Sequence, residues 1–395
     1  MRKLVFSGFL ILFLFQILFG QGLTFHGNAR NSIYSYDSNE SHTRFYQYLN
    51  FSVQPSNKII TLNTSLRALT DSREAIENDK RFKAYLLNFR LDKLLQNRLE
   101  LVIGRQFLYP GTVLGGLDGV LAKTVPLKNT SLQLYAGTES PYLRNFKISK
   151  TDERLVYGGM FQIQDIVDSR IQILYLQKSS KEEAFWQISG VNVDTKILPQ
   201  TSLRLQSHYD LLNERMHRLL FQIRHYWSSK LLMNIAYKQQ HPQIYANSFY
   251  TIFEPKAYRQ LRVGGSFEFY SNYFIQLQYQ RILFEDEGAN RAFLTLQNRN
   301  GSIGLLYENG YAGDQLGLMF DYAYDLMPNL AISVYVDYSK YRAEEVYEYD
   351  NQLANAARLS YRLGRNWDIT VEYQWLTNRF KESDSRFLNH ISYRW

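Results

Sequence analysis

The sequence predicts an all-β chain closed into a transmembrane antiparallel up-and-down barrel of about 22 strands, with no plug domain. Three observations carry that expectation: apolar and polar side chains alternate with a period of two, turn signals recur at hairpin spacing, and beyond residue 21 no apolar run approaches a membrane helix.

The alternation is plainest in residues 367–375. Trp367, Ile369, Val371, Tyr373 and Trp375 fall on one parity, and Asp368, Thr370, Glu372 and Gln374 on the other. In an extended chain these sets point to opposite faces of a sheet. Residues 330–338 and 273–280 repeat the pattern, as do 60–68, 231–238 and 261–269. A helix would instead need apolar residues three and four apart. The alternation slips phase in 116–124 and 185–194, which predicts either a bulge or a miscounted strand there.

Turn-prone joints fall at 55–58, 96–97, 126–129, 167–169, 199–201, 228–230, 271–272, 300–302, 327–329 and 364–366. Their separation matches one hairpin plus a distal loop. Ten joints make eleven hairpins and 22 strands, an even number as single-chain barrels have. A miscount in the two slipped segments would leave 18 or 20. Longer polar loops are predicted at 71–80, 139–153, 242–255, 342–350 and 378–384. Short turns at one rim and longer loops at the other are the two ends of a barrel set in an outer membrane.

Composition agrees. Among 395 residues there are 31 Tyr and 25 Phe, yet mean hydropathy is −0.35. A barrel reconciles the two, because half of each strand faces lipid, half faces water, and aromatic side chains gather at the boundaries. The amino terminus reads as a secretory signal over residues 1–21: Arg2 and Lys3 precede an apolar stretch ending near Gly20, which leaves residues 22–395 as the barrel domain. No cysteine is present, which excludes disulfides, thiolate metal sites and c-type haem attachment. The net charge falls from +8 to +6 without Arg2 and Lys3, and it is scattered, which argues against nucleic acid as a partner.

The carboxyl-terminal strand ends on an aromatic residue, with Phe387, Ile391, Tyr393 and Trp395 on one parity and His390, Ser392 and Arg394 on the other. This resembles the terminal strand of Gram-negative outer-membrane barrels that the barrel-assembly machinery reads. The resemblance implies that machinery and outer-membrane lipid as partners. A second, local resemblance lies in residues 101–106, Leu-Val-Ile-Gly-Arg-Gln, followed by the Gly-rich 110–120. It is similar to a hairpin of porins in the broad alginate-export and related group. Arg105 shares the parity of Leu101 and Ile103, which fits a place at the rim rather than inside, and the Gly cluster either lets the loop fold inward as a constriction or forms a plain Gly-containing hairpin.

Function is expected in the lumen. The inward candidates are Arg67, Arg90, Arg204, Arg224, Arg262, Arg358 and Arg362, with Glu268, Asp337 and Glu372; Arg30, Arg218, Arg394, Glu100, Glu308, Asp321 and Asp368 share their faces. Charge on the lipid face would cost ~2–4 kcal/mol per residue at the midplane, so the interior is its default home. An arginine excess there favours small polar or anionic solutes. The alternative is that these charges pair and fill space. The seven His residues show no HxxxH or HExxH spacing, and there is no G-x-S-x-G elbow or phosphate loop. The sequence therefore predicts no catalytic site, metal or cofactor. His225 is expected in the interfacial belt beside Trp227, and the Tyr-rich 335–341 and 347–349 fit either that belt or a sugar-stacking platform. The principal expectation is a porin-like, passive or weakly selective channel. The alternative is a structural barrel enclosing a periplasmic lipoprotein or a multihaem electron carrier, with an outer-membrane enzyme as a remote third.

Overall fold

The computed structural model describes residues 22–37, 41–56, 59–72, 82–109, 115–141, 146–181, 183–241, 256–311, 313–342 and 347–395. The predicted signal and the predicted loop over 242–255 lie outside these residues, as do most of 71–80 and parts of 139–153 and 342–350. Twenty-two strands follow one another in chain order. They are β1 (Leu23–Asp37), β2 (Ser41–Pro55), β3 (Ile60–Asp71), β4 (Phe82–Lys93), β5 (Leu99–Leu108), β6 (Gly115–Thr124), β7 (Thr130–Glu139) and β8 (Leu155–Ile166). Next come β9 (Ser169–Ser180), β10 (Glu183–Leu198), β11 (Thr201–Asp210), β12 (Arg215–Tyr226), β13 (Leu231–Gln240), β14 (Tyr258–Tyr270) and β15 (Tyr273–Leu283). The rest are β16 (Gly288–Gln297), β17 (Gly301–Gly310), β18 (Asp314–Met327), β19 (Leu330–Arg342), β20 (Asp350–Leu363), β21 (Trp367–Asn378) and β22 (Lys381–Arg394).

Each strand pairs antiparallel with the next, and β1 pairs with β22, from Asn28 opposite Arg394 to Tyr36 opposite Arg386. Closure satisfies the last two strand edges, which is the condition for a sheet to cross a membrane. Gly27 and Trp395 seal the seam by exchanging backbone bonds, at 3.3 Å for Gly27 N–H to Trp395 O and 3.1 Å for the reverse. Only glycine fits there, since a methyl at 27 would stand 2.7 Å from the Trp395 indole.

The ten predicted joints fall between consecutive strands at one rim, with 57–58 of the first outside the described residues. Asn272, at φ 62°, sits in the left-handed region that a two-residue hairpin turn demands and that Asn tolerates. Gly364, at φ 64°, does the same between β20 and β21. The opposite rim is less uniform than the sequence suggests. The loop predicted over 378–384 is only Arg379 and Phe380, because Asn378 caps a tight turn by accepting from the Phe380 and Lys381 amides at 2.9 and 3.0 Å. Lys381 and Asp384 belong to β22 instead.

The strand count is 22, and the two phase slips have different causes. In β10 the register shifts between Ala184 and Trp186, a bulge at Phe185. In β6 the register runs unbroken from Leu99 opposite Thr124 to Leu108 opposite Gly115, so neither bulge nor miscount explains it. Leu117 and Leu121 make the second face of β6 apolar as well, and Leu117 is completely buried.

Outward rows are apolar and exposed: Ile275, Leu277 and Tyr279 of β15 are 41%, 59% and 41% accessible, while Gln280 on the alternate parity is buried. Ile332, Val334, Leu359, Tyr361 and Tyr373 continue that belt. A closed sheet with this exterior is a membrane-spanning wall.

Candidate functional site: the barrel lumen

The inward parity carries most of the charge, and the register brings opposite signs together. Arg358 stands opposite Glu372 across β20 and β21, and its Nε and Nη2 both donate to Glu372 Oε2 at 2.6 Å. Gln374 adds a bond to the other carboxylate oxygen at 2.5 Å. Two inward rows toward the turns, Arg362 lies 3.4 Å from Asp368, which also receives Arg394 from β22. Arg204 donates to Asp194 Oδ1 at 2.6 Å, and Arg170 to its Oδ2 at 2.6 Å. Arg90 bridges Asp92 at 2.9 Å and Glu100 at 3.2 Å. Arg291, which sequence reasoning passed over, holds Glu308 at 2.7 Å.

Other candidates are held differently. Arg67 lies 5.7 Å from the Tyr46 ring centroid and 5.9 Å from that of Tyr85. Asp337 accepts from the Tyr335 hydroxyl at 3.0 Å, and Glu268 from the Asn272 amide at 3.0 Å. Arg224 and Arg262 take no carboxylate partner among the described residues. They stand on neighbouring inner rows, Arg224 opposite Asn234 and Arg262 opposite Ala236 and Gln280. Paired charges thus outnumber unpaired ones among the described residues, where Arg224 and Arg262 have no carboxylate partner and Asp337 and Glu268 no cationic one.

One stretch of the inner wall nearer the loop rim is unlike this. On the inner parity of β5 to β10, toward the loop rim, Leu108, Leu117, Tyr135, Val156 and Leu176 form a buried cluster, with Leu121 and Trp186 packed against it. Gly158 makes room for Tyr135: a methyl there would stand 2.5 Å from the phenol oxygen, which bonds the Tyr175 carbonyl at 3.2 Å. Lys178, only 2% exposed, donates to Glu139 Oε1 at 2.6 Å. Its Nζ also lies 4.6 Å from the Trp186 ring centroid. Beside them the His208 ring shares a 2.8 Å bond with Asn192, and both are buried. Sequence reasoning missed this cluster. Its trace is a run of apolar residues on both parities, as in Ile173-Leu-Tyr-Leu176, which marks strands buried on both faces.

Arg105 is on the outward parity, as expected, but buried rather than free at the rim. Ile103 and Val120, one outward row below, are each 43% exposed. Arg105 grips Asp118 through Nε at 2.6 Å and Nη2 at 2.7 Å, and it also donates to the Ala84 and Lys147 carbonyls at 3.2 and 2.9 Å. Ser140 donates to Asp118 at 3.1 Å. The segment 146–150 covers the pair, with Phe146 stacked on Phe82 at 5.1 Å. A buried ion pair keeps its place only when its hydrogen bonds are met, and here they are. The Gly-rich 110–114, expected as either an inward-folding loop or a plain hairpin, lies outside the described residues.

His225 is on the outer parity, 2.8 Å from Thr201 Oγ1 and edge-on to Trp227 at 4.7 Å. The Tyr-rich 335–341 is no single platform: Tyr338 is outward and bonds Asn351 at 2.8 Å, whereas Tyr335 is inward with Asp337. In the tail, Phe387 and Ile391 are exposed outward, and Tyr393 packs between Trp367 at 4.7 Å and Trp395 at 5.9 Å.

The sequence matches no protein-family model and no curated protein. Among solved structures it is similar to the translocation pore of the P pilus usher PapC, at 8% identity and a TM-score of 0.54 over 94% of this chain and 99% of that one. It also aligns with Pseudomonas aeruginosa OccK5 (OpdH), at 12% identity and a TM-score of 0.48 over 95% and 98%. Acinetobacter baumannii OccAB4 aligns at 9% and 0.46 over 95% and 98%. The likeness to the usher pore is one of barrel fold alone. A closed 22-strand wall, apolar outside and polar over much of its inside, makes the chain an outer-membrane β-barrel.

Proposed function

We propose that this barrel is a porin-like channel for small polar solutes, with a lean toward anions. The observation that carries the reading is the inner wall. Arginines outnumber carboxylates among its candidates: Glu372, Asp368, Asp194 and Glu308 are held by arginines, and although Asp337 and Glu268 have no cationic partner among the described residues, Arg224 and Arg262 have no carboxylate one. A hydrated passage with net positive field concentrates anions without binding them tightly. On this reading the chain transports and does not catalyse. Residues 1–21 export it and are removed, and the tail aromatics guide assembly. The likeness of residues 101–120 to a hairpin of the alginate-export and related porin group agrees with a passage for polar solutes.

The enclosing-sheath alternative is less well supported, because the apolar cluster around Leu117 and Tyr135 thickens one wall instead of leaving a uniform bore. Planar-bilayer recording of the refolded barrel tests the reading. Steady currents with an anion preference that fades as salt rises are expected, since the Debye length shrinks to about 3 Å at 1 M. Very large unselective currents, or a stoichiometric periplasmic protein that co-purifies and blocks conduction, would overturn it.

A further inference from the structure

The outer face carries a groove that an even lipid-facing belt does not require. It has a volume of about 530 Å³. Ala357 and Asn355 of β20 form its floor, Val334 and Val336 of β19 one bank, and Tyr373 and Trp375 of β21 the other. The register sets Val334, Ala357 and Tyr373 in one row, and Val336, Asn355 and Trp375 in the next. Small residues between two larger rows leave a trough.

Its aromatic bank is fixed in place. The Tyr373 hydroxyl shares a 2.9 Å bond with Ser385, and Trp375 Nε1 donates to Ser383 at 3.1 Å. Both polar ends are thereby turned toward β22, which leaves the ring faces to line the trough. The Asn355 amide makes no hydrogen bond among the described residues, although it stands on the lipid-facing parity. An amide left there without a partner is costly in hydrocarbon, so the occupant of the groove must offer it a polar atom. Lys340, on the same parity as Val336 and four residues nearer the loop rim, is about 13 Å further along the strand. Its Nζ lies 5.2 Å from the Tyr349 ring, and it has no carboxylate partner among the described residues.

The geometry points to a bound lipid of the outer leaflet: one acyl chain in the groove, its ester or amide linkage at Asn355, and its phosphate headgroup at Lys340. The order of groups along the strand, apolar trough, amide, then cation, matches the order of chain, linkage and phosphate in such a molecule. The volume falls in the ~300–1,000 Å³ range of sites for single small ligands. A second copy of this chain fits less well. A twofold contact presents the same patch twice and would set Lys340 near its own copy.

The test is native mass spectrometry of the delipidated barrel in mild detergent, titrated with phosphatidylglycerol or phosphatidylcholine. One phosphatidylglycerol should remain bound and outcompete phosphatidylcholine by about fivefold, as one lysine near an anionic headgroup allows. Ala357→Trp should fill the trough and abolish retention of both lipids. Lys340→Gln should retain a lipid but lose the headgroup preference. Heat-modifiability on gels confirms that each variant is folded. Equal retention by wild type and Ala357→Trp, no headgroup preference in the wild type, or a dimer that Ala357→Trp dissociates would each overturn the assignment.

Discussion

Lys178 donates to Glu139 at 2.6 Å while standing 4.6 Å from the Trp186 ring centroid, so one buried cation joins β7, β9 and β10 on the inner wall. Neither charge is worth its desolvation alone; each is tolerable because the other is there. Lys178→Met should therefore destabilise the barrel by about 3 kcal/mol, the lower end of the range for breaking a buried pair, since Glu139 keeps some solvent access. The double variant Lys178→Met, Glu139→Gln should recover most of that loss. Urea titration of the barrel refolded in liposomes measures the coupling. Additive costs in the two single variants would show that the pair does not hold this wall.

The two faces of β21 give a second prediction. Ile369→Arg and Val371→Arg place charge in lipid and should each cost ~2–4 kcal/mol near the midplane. Alternation alone would make Thr370→Arg neutral. The structure says otherwise, because Thr370 is only 8% exposed and stands between Ser360 and His390 on a crowded inner row. Thr370→Arg should thus also destabilise, by overpacking rather than by charge. Gln278→Arg, on a more open inner row, is the control that should be nearly neutral. Refolding titrations in which Thr370→Arg matches Gln278→Arg would refute the crowded-row account.

These contrasts show what was legible in the sequence. Parity along a strand is local, so the faces of Ile369 and Glu372, the ten turns and the strand number could all be read from residue order. Which charges meet depends on register between strands, and Arg358 finds Glu372 only because 14 residues of hairpin bring them level. The inner apolar cluster was hidden for another reason. Its signal, apolar residues on both faces of β6 and β9, is the same signal that a slipped phase would give. Arg105 shows the converse, where parity read its face correctly but could not reveal Asp118, Ser140 and the Lys147 carbonyl closing over it.

Barrel closure depends on the tail. Trp395 exchanges two backbone bonds with Gly27, and Tyr393 packs between Trp367 and Trp395. Deleting Trp395, or replacing both aromatics with Ser, should leave an open seam and an unread assembly signal. The protein should then collect in the periplasm as a protease substrate. Fractionation with heat-modifiability gels decides it, and a normal folded band in outer membranes would count against this role.

Selectivity supplies the last prediction, and the pairing makes it specific. Arg224→Gln and Arg262→Gln each remove a cation with no carboxylate partner among the described residues, so each should lower the anion preference modestly and additively. Arg358→Gln acts by a different route. It leaves Glu372, now held at 2.6 Å by Arg358, as an unbalanced carboxylate on the inner wall. The local field then changes from near neutral to negative, and the reversal potential should move further toward cations than for Arg224→Gln. Adding Glu372→Gln to Arg358→Gln should restore the starting value, because a neutral pair of Gln replaces a neutral ion pair. All shifts should shrink together as salt is raised from 0.1 M to 1 M, where the Debye length falls from about 10 Å to about 3 Å. Bilayer recordings in asymmetric salt read these values directly. If Arg358→Gln moves the potential no more than Arg224→Gln, or the double variant fails to return it, the inner-wall pairs do not set the field that a permeating ion meets.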